Sequence, residues 1–175
     1  MPTIPPIPPR ATLSRRPQMS LRPEELIVEL EQFLEHPDAA LESLVAALAK
    51  GNAQPELWEA LHRAAQRDRR EPDLAFAYEQ VTHDRRARLL NRDAQVELFE
   101  HAATFFGEVF HDLDTAIGHA EKVLALAPER TTNVERLEEW LRTQARQARL
   151  GRLYVTLAKL DQDPFIKGGR LEQAL

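Results

Sequence analysis

Apolar residues recur along most of this chain at intervals of three and four, the spacing that gathers them on one face of a helix. Leu26, Val28, Leu30, Phe33 and Leu34 form a first set; Leu41, Leu44, Val45 and Leu48 form a second beyond His36-Pro37-Asp38. Pro37 is expected near the start of the second helix, where its missing N–H has no partner to lose. Gly51-Asn52 is expected to close it, because glycine enters the left-handed C-cap conformation without a Cβ penalty. A third helix is predicted from about Pro55 through Leu57, Trp58, Leu61, Ala64 and Ala65, and a fourth from about Pro72 through Leu74, Ala75, Ala77, Tyr78 and Val81. The polar stretch 84–91 either prolongs the fourth helix or loops outward.

The clearest pair follows. Val96, Leu98, Phe99, Ala102, Ala103, Phe105, Phe106 and Val109 mark a fifth helix, and Leu113, Ala116, Ile117, Ala120 and Leu124 a sixth. Thr131-Thr132-Asn133 supplies side chains able to cap a seventh helix through Val134, Leu137, Trp140 and Leu141. Leu153, Val155, Leu157 and Leu160 define an eighth. Gly151 either marks the turn into it or lies inside one long helix, since a helical glycine costs only about 1 kcal/mol. Pro164 and Gly168-Gly169 precede a short helical start over 171–175, read as a cap or a truncated further repeat.

Seven of the 12 prolines lie at or before Pro23, and proline fixes φ and removes a donor, so residues 1–22 are read as a disordered Pro/Arg-rich tail before a helical domain over 23–175. Pro5 with Pro8, and Pro6 with Pro9, give the minimal Pro-x-x-Pro pattern that aromatic-grooved adaptor domains bind; a plain linker explains the same residues.

With 43% hydrophobic residues, 175 residues suffice for one domain with a core. Only six glycines, with Ala and Leu throughout, favour an all-α fold. The absence of cysteine excludes disulfides, thiolate catalysis and cysteine-bound zinc. The net charge of −5 conceals an uneven split: Arg10, Arg15, Arg16 and Arg22 stand in the first 22 residues without an acid, leaving −9 for the remainder. Such a tail suits nucleic acid, an anionic membrane surface or the acidic body itself. The prevalence of arginine over lysine hints at a GC-rich bacterial source. No secretory leader and no membrane-spanning run are recognisable, so the expected location is the cytoplasm.

Self-comparison gives a period near 40 residues: Tyr78-Glu79-Gln80-Val81 lies about one period before Ala120-Glu121-Lys122-Val123. The stretch 112–128, with Phe99, Ala102, Ala103, Phe106, Asp112, Ala116, Ala120 and Pro128, resembles a tetratricopeptide repeat, whose large and small residues let paired helices cross closely. The likeness is most specific over residues 96–128. A looser similarity to Ala- and Arg-rich bacterial repeat scaffolds covers roughly 55–160. Two features depart from the pattern: an extra residue near His111, and Gly107 in place of a bulky residue.

The resemblance implies a TPR-like right-handed superhelix of stacked antiparallel helix hairpins, whose first helices line a concave groove for a peptide or partner helix. On that alignment the partner-binding candidates are Glu59, His62, Arg63, Glu97, Glu100, His101, Thr104 and Glu108. Family members that clamp a C-terminal carboxylate do so with Lys and Asn; Glu97, Glu100 and Glu108 would repel one, which argues against a chaperone cofactor.

No catalytic constellation emerges. His36, His62, His83, His101, His111 and His119 lack the His-x-x-x-His or Glu-x-x-His spacing that sets two metal ligands on one helix face. His101 and His119 are placed to face one another across the best hairpin, or to be ordinary packed residues. Gly168-Gly169 lacks the Lys-Ser or Lys-Thr of a phosphate loop, and no Gly-x-Ser-x-Gly elbow occurs. Trp58, Trp140, Phe99, Phe105 and Phe106 are read as core rather than as an interface hot spot. The basic runs Arg67-Asp68-Arg69-Arg70 and Arg85-Arg86-Ala87-Arg88 are expected at opposite ends of the second hairpin, paired locally with Asp68, Glu71, Asp73 and Asp84. The expected protein is therefore a non-enzymatic interaction scaffold without cofactor or metal, acting on another protein. The alternatives are a nucleic-acid-associated regulator using the tail and arginine runs, and an obligate helical subunit of a larger complex or a homo-oligomer.

Overall fold

A computed structural model of the chain describes residues 37–51, 55–160 and 164–174. The tail 1–22 and the first expected helix lie outside the described residues. Every regular element within them is helical: α1 (Pro37–Ala49), α2 (Pro55–Asp68), α3 (Glu71–Thr82), α4 (Asp84–Ala87), α5 (Arg92–Thr104), a π-helical turn (Phe105–Val109), α6 (Leu113–Leu126), α7 (Thr131–Thr143), α8 (Gln147–Leu160) and α9 (Pro164–Gln173).

α1 opens at Pro37 and ends before Gly51, whose φ of +74° is the C-cap conformation expected of it. The 84–91 stretch does neither of the two things foreseen: the chain bends at His83, forms the single turn of α4, and re-enters a helix at Asn91, whose side chain accepts from the Ala94 N–H as an N-cap. Asp112 caps α6 in the same way through Thr115. The Thr131-Thr132-Asn133 cap is not formed. Arg130 occupies the cap position without a side-chain bond, while Asn133 is buried inside α7 and its Nδ2 donates 3.0 Å to the Ala120 carbonyl of α6. That bond satisfies a buried amide and ties two helices together.

Gly151 does not mark the turn, and the helix that runs across it is separate from α7. The turn comes earlier, at Ala145, with φ +51°, where Arg146 N–H donates to Leu141 O in a helix-terminating bond. Gly151 sits within α8, where an added Cβ would lie 3.0 Å from the Ala174 carbonyl oxygen, so glycine there permits close approach of the chain end. Gly168-Gly169 falls inside α9 rather than before a short start at 171.

The fifth expected helix changes pitch midway. Phe110 N–H donates to Phe105 O, five residues back, and Asp112 N–H to Phe106 O. A π turn absorbs one residue that an α-helix has no room for, and His111 leaves the turn at φ +59°. Gly107 has an equally local cause: a Cβ there would stand 2.4 Å from Cζ2 of Trp140, so α7 rests its indole where a side chain would be.

α5 and α6 make the most extensive pair, and α6, α7, α8 and α9 pack successively. At the other end α1 packs chiefly on α3 and also on α5, with only light contact between α2 and α3. One large core runs through Leu41, Trp58, Leu61, Leu74, Tyr78, Leu98, Phe105, Phe106, Ile117, Leu137, Leu141 and Leu153, and a smaller one holds Ala87, Val96, Phe99, Val123 and Ala127. All five aromatics assigned to the core are buried.

Candidate functional site

α2, α5 with its π turn, and α7 border an open cleft of about 460 Å³ lined by Pro55, Glu59, His62, Arg63, Gln66, His101, Thr104, Glu108, Val109 and Arg136. Six of the eight groove candidates therefore converge: Glu59, His62, Arg63, His101, Thr104 and Glu108. Glu97 and Glu100 lie nearer the start of α5 and do not line it. Glu100 is half-buried beside Arg130 at 3.6 Å; burial, with the neighbouring charge of Glu97, raises its carboxyl pKa against the opposing pull of Arg130.

The floor is made of imidazoles held by aromatic rings. His62 is buried, and its Nε2 lies 2.7 Å from the Tyr78 hydroxyl. Its ring meets Phe105 at 5.3 Å. Burial, reinforced by His101, pulls its pKa down to about 3. His101 lies flat on Trp58, with centroids 4.3 Å apart and planes within 5°, and burial lowers its pKa to about 4. Both are neutral near pH 7, so the floor is polar without being cationic. Tyr78 is fully buried, which raises its pKa well above that of a free phenol, and its hydroxyl is held as a neutral partner of His62.

The walls carry paired charges. Arg63 and Glu59 pair at 3.5 Å along the exposed face of α2. Across the cleft, Arg136 Nη1 donates 2.8 Å to Thr104 Oγ1, and its Nε lies 3.5 Å from Glu108. Thr104 in turn donates to the Glu100 carbonyl. The Arg136 guanidinium stands 5.8 Å from the Trp140 ring centre, so the ring that occupies the notch at Gly107 also steadies this arginine. Arg136 was not among the sequence candidates. It comes from α7, and no signal in the sequence sets it beside Thr104 and Glu108.

His119 does not join His101. It packs on Phe106 at 5.5 Å and Phe99 at 5.9 Å in the neighbouring layer, burial lowers its pKa to about 4, and its buried Nδ1 has no hydrogen-bond partner among the described residues. Among the described residues, no three His, Cys, Asp or Glu side chains gather as a metal site. None of the helices there is long and apolar enough to cross a membrane.

The basic runs are engaged at least in part. Arg67 contacts Asp68 through two nitrogens at 2.9 and 3.0 Å, and Arg70 reaches Asp73 at 3.0 Å, as the local pairing required. Arg86 instead spans to Glu42 of α1 at 2.8 Å, an interhelical contact that sequence proximity does not reveal. The two runs flank the opposite ends of α3, separated by roughly 18 Å of helix.

Comparison of the chain with known families, characterised proteins and solved structures finds no match.

Proposed function

We propose that the chain is a non-catalytic, TPR-like scaffold that receives a peptide or helix of a partner protein in the α2/α5/α7 cleft. The observation that carries this reading is the convergence of six groove candidates, chosen from repeat phase, on one open cleft lined by alternate helices. A neutral imidazole floor with charge-balanced walls suits polypeptide, whose backbone offers donors and acceptors without net charge. Such a floor offers no cationic clamp for a terminal carboxylate.

The test is photocrosslinking with benzoylphenylalanine at Glu59 or Gln66, with Glu172 of α9 as the distant control. A partner segment captured at both cleft positions and not at the control is expected. Identical capture at all three, or none at the cleft, overturns the proposal.

A second reading, an obligate helical subunit, draws support from Phe76 and Leu89, which are 63% and 86% exposed on α3 and just beyond α4. Bulky apolar groups left in water are what a permanent partner covers. A melting temperature that rises with protein concentration would favour it.

A further inference from the structure

The imidazoles on the floor of the α2/α5/α7 cleft are neutral, yet one of them has a fixed hydrogen-bonding direction. Tyr78 is wholly buried, and among the described residues its hydroxyl has one hydrogen-bond partner, His62 Nε2 at 2.7 Å. Two arrangements fit that distance. If Nε2–H donated to the phenol oxygen, the phenolic proton would be left without an acceptor in a core built of the rings of Trp58, Phe105 and Phe106. If the phenol donates to a bare Nε2, the buried side of the pair is fully matched. A buried donor without an acceptor bears the whole desolvation penalty of that group, so the second arrangement prevails.

The proton of the neutral His62 ring then sits on Nδ1. Among the described residues, His119 Nδ1 is the one side-chain nitrogen or oxygen shut away from solvent without a partner. His62 Nδ1 has no partner in the chain either, so it reaches solvent, and the 7% of His62 that is exposed borders the cleft. We propose that His62, held by Tyr78 as its Nδ1–H tautomer, presents a fixed donor on the cleft floor and that this donor selects an amide carbonyl. That the amide belongs to a polypeptide rests on the scaffold reading of the cleft. The tautomer does not reverse to suit a ligand donor, because reversal strands the Tyr78 hydroxyl. His101 differs: its nitrogens have no hydrogen bond and both reach solvent, so it offers a proton on one side and a lone pair on the other. His62 therefore sets the polarity of the bound group, and His101 adapts to it.

The walls favour a neutral acceptor over a carboxylate. Arg63 and Arg136 each face a carboxylate of the same lining, Glu59 and Glu108, so an incoming carboxylate meets two acids and no surplus of cations to offset its desolvation. Two sources supply an amide carbonyl: a peptide backbone and an Asn or Gln side chain.

The test is nitrogen-15 NMR of the full-length chain, labelled in its histidine rings, at pH 7. A pyrrole-like Nδ1 and a pyridine-like Nε2 are expected for His62. N-Methylacetamide, standing for the backbone, and acetamide, standing for Asn or Gln, should each be titrated in; the one that shifts the Nδ1–H signal more identifies the source of the carbonyl. Sodium acetate and methylammonium chloride should move it far less. Tyr78→Phe removes the hydroxyl and keeps the ring, and is expected to give averaged shifts at both nitrogens and a weaker response to the amides. A pyridine-like Nδ1 in the parent overturns the proposal, as does silence toward both amides, an equal or larger response to acetate, or a Tyr78→Phe spectrum in which Nδ1 keeps its proton undiminished. Crosslinking that fails while the amide response holds would remove the polypeptide and leave the carbonyl site standing.

Discussion

Around α2, α3 and α5 the contacts are aromatic rings and neutral imidazoles; around α7 and α8 they are arginines reaching back to carboxylates of the preceding pair. Trp58, Tyr78, Phe105 and Phe106 pack in a continuous cluster with His62, His101 and His119 set among them. In the other region Arg130 reaches Glu100, Arg136 reaches Glu108, Arg146 reaches Asp114 and Arg149 reaches Glu121. The first region depends on desolvation, which salt leaves largely untouched but which protonation of a buried ring disrupts. The second adds to its buried leucines a set of partly exposed ion pairs, each worth less than about 1 kcal/mol and weakened by salt. The two regions should therefore fail under different conditions.

The largest effect is expected from Trp58→Ala, which removes the ring between His101 and Tyr78. A loss of about 3–5 kcal/mol in urea unfolding is anticipated, as for other buried aromatics truncated to alanine. A loss under 1 kcal/mol would mean that the aromatic cluster does not hold this end together.

Acid should act next, and on the same region. His62, His101 and His119 have folded pKa values of about 3 to 4, below the 6.5 of the unfolded chain, so the unfolded state binds more protons as the pH falls. Their contribution is intact above about pH 6.5 and declines as the pH falls toward 4. Hydrogen exchange in α2 and α5 should accelerate before that in α8. Unfolding free energy that stays flat from pH 6.5 to 4.5 would refute the burial of these rings.

Between the regions, Ala116 is fully buried where α6 crosses α5. Ala116→Leu should overpack that crossing and cost about 1–3 kcal/mol, seen as a lower melting temperature. An unchanged value would count against a close helix crossing.

In the second region Arg149 contacts Glu121 at 2.6 and 3.0 Å, which raises the arginine's pKa. Arg149→Gln should cost under about 1 kcal/mol, and the difference from the parent should shrink in concentrated salt. A larger, salt-independent loss would show that this contact too rests on burial.

The smallest effect is a gain. Ala145 pays for a left-handed turn that glycine adopts freely, so Ala145→Gly should stabilise by up to about 1 kcal/mol after the extra freedom of glycine in the unfolded chain is counted. Destabilisation would show that the alanine methyl makes a contact worth more than the strain.

Some of the glycine and proline signals were legible: Pro37, Gly51 and Pro55 mark real boundaries. Where the chain turned without them, it was not. Arg69, His111 and Ala145 end helices in the left-handed conformation, and nothing in those residue types announces it. Gly107 and Gly151 are glycines for a reason outside their own helices, the indole of Trp140 and the Ala174 carbonyl. Asn133, a capping residue by type, serves instead as a bridge to Ala120.

The sequence by itself determined that the chain is helical, most of its core and six of the cleft residues, because helical phase fixes which side chains share a face. Tertiary structure alone decided that Arg136 completes the cleft and that His62 pairs with Tyr78 while His101 stacks on Trp58. It also decided that the fifth helix loosens into a π turn. These outcomes depend on how faces from distant segments meet, and periodicity along one strand of sequence carries no information about the orientation of a neighbour.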